Sequence, residues 1–176
     1  MDPNGEVISM EGDLPEKKQA NISDFTHAFA HGGRLTTNPK ESKVAICTNY
    51  AGIMQIYDCK TNEVQLIKEY NLFPADYREQ NGNFAVTPQT AWGYLSIDSN
   101  DKYIYALYSG QNQMEHPDGS FLRSHIIHVF DWEGNSICRL SADRTLTMIC
   151  VDNDGNIYGY DNEKADIVTA DVKGLF

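Results

Sequence analysis

Residues 91–110 read AWGYLSIDSNDKYIYALYSG, and after a polar insert residues 125–140 read HIIHVFDWEGNSICRL. The two stretches contain four short segments rich in aromatic and β-branched residues, separated by turns rich in Asp, Asn and Gly. Such segments favour β-strands, and such turns join antiparallel strands. Four short antiparallel strands in succession make up one sheet, or blade, of a β-propeller. This part of the chain therefore predicts one propeller blade.

The same arrangement recurs on both sides of this blade. Asp98 and its turn align with Asp152 and its turn, while Asp58 aligns with Asp131 in the later half of the unit. Propellers have 4–8 blades, each of about 40–45 residues in the common repeats. We therefore predict an all-β fold, a β-propeller fragment of about three four-stranded antiparallel blades. Helix should account for less than about a fifth of the residues.

The repeats divide a single partial propeller domain, residues 1–176, into four segments. These are an outer strand and linker at 1–24, a blade at 31–70, a blade at 91–141 and an incomplete blade at 144–176. The incomplete blade has a third strand, ADIVTADV, and no fourth. Because three blades are too few to close a ring, we expect a homodimer or association with a missing propeller half. The segment at residues 5–10 would pair with the unpaired edge in a second chain.

The strand segments are apolar on both faces. In KYIYALY, side chains at Tyr103, Tyr105 and Leu107 point to one face, and those at Ile104 and Ala106 point to the other. This pattern is typical of a strand that lies between two neighbouring sheets. Four residues in such strands are predicted to be largely buried: Trp92, Tyr105, Phe130 and Ile149.

Two inserts interrupt the repeats. Residues 71–90 lengthen the link between the first two blades, and residues 110–124 lengthen a hairpin of the second. Long loops on a rigid scaffold often carry binding groups. The inserts are therefore candidates for a binding surface. The alternative is that they have no binding role.

The charge and hydropathy of the chain exclude several partners. The net charge is −11, and the basic residues are scattered singly, whereas a nucleic-acid or anionic-membrane surface needs clustered Lys and Arg. We interpret the excess of acidic residues as part of an ordinary solvent-exposed surface. No apolar run approaches the 18 residues typical of a membrane span. The first 18 residues have neither the basic nor the apolar part of a signal peptide.

The cysteines are not spaced as a metal site. Cys47, Cys138 and Cys150 lie in apolar strand segments, and none of the four cysteines, Cys59 included, is in a CxxC pair. In such segments a free cysteine behaves as a small apolar residue. We predict core cysteines, with one disulfide as the alternative.

Two segments of the second unit carry a family resemblance. IYALYSG at 104–110 and IHVFDWEGN at 127–135 resemble the TolB-like six-bladed β-propeller proteins of Bacteroides-type bacteria, and the similarity extends over residues 31–172. The resemblance implies that the chain is half of a six-bladed propeller. It also implies an exported envelope or periplasmic protein, often lipid-anchored and about twice this length. Compared with that pattern, we expect this chain to lack the N-terminal half, the signal peptide and the lipid-attachment cysteine. The family supplies no catalytic residues to carry over.

One turn partly matches a calcium-binding loop. Asp152, Asp154, Asn156 and Glu163 stand at positions 1, 3, 5 and 12 of such a loop. However, Gly155 stands at position 4 rather than 6, and a strand follows at once. A hairpin turn accounts for the same residues.

Histidine pairs are the remaining metal candidates. His125 and His128 are three apart in a predicted strand and should point to opposite faces, so they cannot share an ion. His27 and His31 are four apart, which would align them on a helix, but no third ligand is evident. Ser109 has no assignable base. We therefore predict no catalytic, cofactor-binding or metal-binding residues and no cofactor.

These observations favour a non-catalytic binding or scaffold propeller of the bacterial cell envelope. Its ligand, a protein, a small molecule or a glycan, is not specified by the sequence, and nucleic acid and a membrane span are not expected. The alternatives are a hydrolase or lyase with a site on one propeller face, and a truncated, non-functional gene product.

Overall fold

The computed structural model describes residues 14–17, 20–38, 40–60 and 63–176. Within these residues, strands β1–β4 form a first sheet, β7–β10 a second and β11–β13 a third, and β5 pairs with β6 in a hairpin. All neighbouring strands are antiparallel. The elements are α1 (Asp24–Ala30), β1 (Gly33–Asn38), β2 (Lys43–Thr48), β3 (Ile53–Asp58), β4 (Gln65–Asn71), β5 (Arg78–Gln80), β6 (Asn83–Ala85), β7 (Tyr94–Ser99), β8 (Tyr103–Tyr108), β9 (Ser124–Asp131), β10 (Ser136–Leu146), β11 (Met148–Val151), β12 (Asn156–Asp161) and β13 (Asp166–Asp171).

The first strands of the three sheets lie side by side. β7 lies between β1 and β11, as the strands that line the axis of a propeller do. On one side the hydroxyls of Thr36 and Ser99 are 2.7 Å apart. On the other, the Ser96 hydroxyl donates to the Ile149 carbonyl and accepts from the Ile149 N–H. The chain is thus a propeller fragment with open sheets, which confirms the predicted fold class. Among the described residues the third sheet has three strands.

The core consists of the two spaces between the sheets. Ile104 and Ala106 of β8 face the first sheet, while Tyr105 and Leu107 face the third. The predicted alternation of this strand is therefore confirmed, and Tyr105, Phe130 and Ile149 are buried as expected. Trp92 is only half-buried, because it precedes β7 and packs between the rings of two loops.

Helix α1 is the main departure from strand structure. Ser23 caps its N-terminus by accepting a hydrogen bond from the Thr26 N–H at 3.2 Å. The helix packs through Ala30 against a third small cluster with Ile53 and Tyr77. With α1 of seven residues and a three-residue 3₁₀ turn at Ser120–Leu122, helix stays far below a fifth of the described chain, as predicted. The outer strand expected within residues 1–24 falls largely outside the described residues.

The four cysteines are free thiols. Cys47 is buried, and burial raises the pKa of its thiol to about 12, so it stays protonated. Cys138 is half-buried. The prediction of a core position is wrong for Cys150, which is exposed because it lies on the face of the third sheet that no other described sheet covers.

Candidate binding surface at the loop end

Both inserts lie at the same end of the sheets. The chain leaves β4 and β8 and enters β7 and β9 at this end, which we call the loop end; α1 and the β2–β3 turn are also there. The Met114 N–H donates to the Pro88 carbonyl at 2.8 Å and thereby joins the two inserts. Trp92 and residues 110–111 exchange two further backbone hydrogen bonds of 2.7 and 2.8 Å. The inserts therefore form one continuous surface.

A row of five aromatic rings crosses this surface. Successive ring centroids are 5.0, 4.8, 4.8 and 6.0 Å apart. Each ring comes from a different segment, namely α1, β6, the β2–β3 turn, the link before β7 and the 3₁₀ turn. The members of this aromatic row, in order, are Phe29, Phe84, Tyr50, Trp92 and Phe121.

The aromatic row is partly open to solvent. Phe29 is 49% exposed, and Phe25, one helical turn earlier, is 62% exposed. The inner rings are half-buried. Close backbone packing supports them, since a Cβ on Gly93 would lie 1.8 Å from the Ala51 carbonyl oxygen. Aromatic side chains exposed on a rigid base are typical of binding surfaces, because they supply large contact area with little loss of conformational entropy.

His27 and His31 lie on one side of the aromatic row, at the C-terminal end of α1. Their ring centroids are 4.8 Å apart, so the helix does align them. The Nδ1 atom of His27 is 2.6 Å from the Tyr77 hydroxyl, and that of His31 is 2.9 Å from the His27 carbonyl. Across the described chain, no group of three or more His, Cys, Asp or Glu side chains is placed to hold a metal ion. His27 thus joins α1 to Tyr77, the residue that precedes β5.

The other histidine pair is separated by the alternation of β9. His128 shares its face with Phe130 and contacts Tyr94 of the second sheet, with 6.0 Å between ring centroids. His125, at the start of the strand, is exposed. Ser109, at the end of β8, donates its hydroxyl hydrogen to the Phe121 carbonyl at 2.8 Å, so it holds the second insert in place.

The calcium alternative fails on geometry. Asp152 lies at the opposite end of the sheets from Glu163, with the six residues of β12 between them, about 20 Å of strand. The Asp152 carboxylate accepts from the Asn156 side-chain amide at 2.7 Å and backbone N–H at 2.9 Å. These bonds, the first in particular, lower its pKa from 3.8 to about 2. Glu163 instead pairs with Arg123 of the second insert at 2.6 Å.

Sequence reasoning identified the two inserts but not the aromatic row. Its members are spread over residues 29–121, and no local pattern connects them. No helix in the described ranges is long and apolar enough to cross a membrane.

Comparison with solved structures finds similar folds at low sequence identity. The β-propeller domain of Cps50 (Swd1) from Myceliophteria thermophila is 8% identical, with a TM-score of 0.49 over 77% of this chain and 36% of that one. BamB from Moraxella catarrhalis is 17% identical, with a TM-score of 0.46 over 77% and 30%. A functionally unknown protein from Desulfotomaculum acetoxidans is 9% identical, with a TM-score of 0.46 over 80% and 40%. The chain thus spans well under half the length of these structures.

No curated protein sequence matches the chain. A family match covers residues 1–154, which include the first and second sheets and the start of the third. The order of the strands and the side-by-side packing of β1, β7 and β11 agree with that match. The chain belongs to the TolB-like 6-blade propeller-like family.

Proposed function

We propose that the chain is part of a non-catalytic binding or scaffold propeller, and that its partner binds at the loop end. The aromatic row carries the proposal. Five separate segments converge to build it, and Phe25 and Phe29 leave its outer end exposed. The hydrogen-bonded inserts hold the row rigidly, which lowers the entropic cost of binding. A polypeptide with apolar side chains or a glycan that stacks on aromatic rings suits such a surface.

Substitution of the exposed end of the row tests this proposal. A random peptide display library and a panel of immobilised oligosaccharides are screened with the wild-type chain, and the selected ligands are then measured on Phe25→Ser/Phe29→Ser. We expect binding at least about tenfold weaker, as for the loss of central aromatic contacts. Leu66→Ser is the matched control, because Leu66 is 47% exposed on β4, at the other end of the first sheet. Equal binding to all three proteins, or no selectable ligand, would contradict the proposal.

We further propose that additional blades cover the open faces of the first and third sheets. The three blades of this chain itself would correspond to residues 31–70, 91–141 and 144–176. The exposure of Met148 and Ile167 supports this, because contiguous apolar patches on soluble proteins commonly mark contact surfaces. β13 has no partner on its outer side among the described strands. The covering blades come from a second copy of the chain or from the other half of a six-bladed propeller. Residues 5–10, whose pairing the sequence suggests, lie outside the described residues.

Sedimentation distinguishes these assemblies. A chain that sediments as a monomer of 19.8 kDa at micromolar concentration, well folded and soluble, would contradict the homodimer. The cell envelope or periplasm is the proposed location, supported by the resemblance of residues 104–110 and 127–135 to exported propellers. Fractionation of cells that express the native gene tests it, and a cytosolic product would overturn it.

A further inference from the structure

An apolar groove lies between the outer part of the second sheet and the free edge of the third. It has a volume of about 580 Å³ and is lined mainly by side chains of β10, β12 and β13, among them Leu140, Ile157, Val168 and Val172. A fourth strand beside β13 would direct every second side chain into this groove, because successive side chains of a strand point to opposite faces.

The edge of β13 has the hydrogen-bonding groups that such a strand needs. The Val172 N–H donates to the Gly155 carbonyl at 3.0 Å, so the even-numbered residues of this segment bond to β12. The N–H and C=O groups of Ile167, Thr169 and Asp171 point the other way, as those of alternate residues in an antiparallel strand do. No strand among the described residues pairs with them. Such an edge is a template for a further strand.

The direction of the added strand follows from the other two sheets. Both β4 and β10 are antiparallel to their neighbours, end at the loop end and lead from there to the first strand of the next sheet. Only one residue separates β10 from β11, so β12 ends and β13 begins at the loop end. A fourth strand antiparallel to β13 would therefore end at the loop end as well, and the chain that supplies it would continue into the neighbouring sheet.

Leu14 and Pro15 lie where the continuation of such a strand is expected. They line a depression of about 350 Å³ together with Ile46, Thr48 and Asn71. Ile46 identifies this as the open face of the first sheet, since its two neighbours on β2 pack towards the second sheet. Thr48 and Asn71 are the last residues of β2 and β4, which places the depression at the loop end. The segment before Leu14 thus lies next to any sheet that covers this face.

Residues 5–10, which read GEVISM, precede Leu14 and lie outside the described residues. The step from Met10 to Leu14 spans at most about 14 Å. In the same chain, β13 is two inter-sheet spaces away from the first sheet, about 20 Å at the usual spacing of packed sheets. Residues 5–10 therefore do not reach the β13 edge of their own chain.

We propose, on the basis of the covering of the open faces proposed above, that residues 5–10 pair with β13 of a second copy. They form the fourth strand of its third sheet, with Ile8 and Met10 on the face that fills the groove. The exchange is mutual, as a two-fold axis requires. Each copy then has three four-stranded sheets, and the two copies close a six-bladed ring.

Sedimentation of the full 176-residue chain tests this exchange. The wild type should sediment as a dimer of twice 19.8 kDa at micromolar concentration. Thr169→Pro removes an outward N–H from the β13 edge, and Ile8→Asp/Met10→Asp places carboxylates in the apolar groove. Each variant should dimerise at least about tenfold more weakly. An equimolar mixture of the two variants should dimerise more tightly than either alone, because the intact segment of one meets the intact edge of the other.

Two matched variants separate the exchange from general damage. Arg139→Pro places a proline on β10, the outer strand of a sheet that already has four strands, and Ile8→Leu/Met10→Leu keeps the groove filled with apolar side chains. Neither should weaken the dimer.

A monomeric wild type, undiminished dimerisation of the first two variants, or no gain on mixing them would overturn the exchange. Undiminished dimerisation would leave the covering of the open faces by a second copy in place. A monomeric wild type would instead leave the other half of a propeller as the cover.

Discussion

The inner space between the first and second sheets and the outer face of the third sheet are built from the same kind of strand. In the inner space, Met54, Ile56 and Ile104 are fully buried. On the outer face, Met148 is 53% exposed and Ile167 is 78% exposed. All of these residues belong to strands with apolar side chains on both faces. The two sets of residues differ only in whether another sheet covers them. An apolar strand pattern therefore indicates a face that can pack against another surface, and the burial of each side chain depends on the neighbouring sheet.

The largest effect on stability should come from an Ile→Ala substitution in the inner space, compared with the same substitution on the outer face of the third sheet. Ile104→Ala creates a cavity in the inner space and should lower the free energy of unfolding by about 2–5 kcal/mol. As long as no further blade covers the third sheet, Ile167→Ala removes a side chain that is mostly in solvent and should change the free energy of unfolding by less than about 0.5 kcal/mol. Urea unfolding of both variants measures the difference. Equal losses would show that the outer face of the third sheet is covered in solution.

A smaller effect is expected where the third sheet is attached to the second. Asp98 of β7 accepts a hydrogen bond of 2.7 Å from the Val151 N–H of β11, next to the Ser96–Ile149 contacts. Asp98→Ala leaves that amide without its partner, which should cost about 1–3 kcal/mol.

The loss of stability in Asp98→Ala should be confined to the third sheet. Hydrogen exchange of the Val151 amide and of β12 should accelerate while that of β2 and β3 stays unchanged, because the first sheet contacts the other side of β7. Ser99→Ala is the control on that side, since its hydroxyl contacts Thr36. Uniform acceleration in Asp98→Ala would mean that the three sheets open as one unit.

The sequence predicted the parts of this molecule that depend on residues close together in the chain. The alternation of β8 follows from period-2 side-chain direction, and the turns at Asp131 and Asp152 follow from local Asx hydrogen bonds. Helix α1 was not predicted, because its seven residues carry only a weak local signal. The exposure of Cys150 was not predictable, since it depends on which sheet lies opposite.

The candidate site was predictable only in its location. Long inserts identified the loop end, because insertions between rigid strands are visible in the repeat. The aromatic row was not visible, because it arises from side chains far apart in sequence that meet only in the folded chain.

The smallest effect should come from the Asp152 turn, at the exposed end of the third sheet. Its carboxylate has a folded-state pKa of about 2, below the ordinary 3.8, mainly because of the hydrogen bond from the Asn156 side chain. A lowered pKa means that the ionised form favours the folded state. The contribution is therefore complete above about pH 4 and is lost as the pH falls through 2.

Asp152→Ala should lower the melting temperature slightly at pH 7, and the difference from the wild type should vanish towards pH 2. Asp154→Ala is the control, because it removes a neighbouring carboxyl from the same exposed turn. A pH-independent difference in Asp152→Ala would show that the ionised carboxylate does not stabilise the turn at the exposed end of the third sheet.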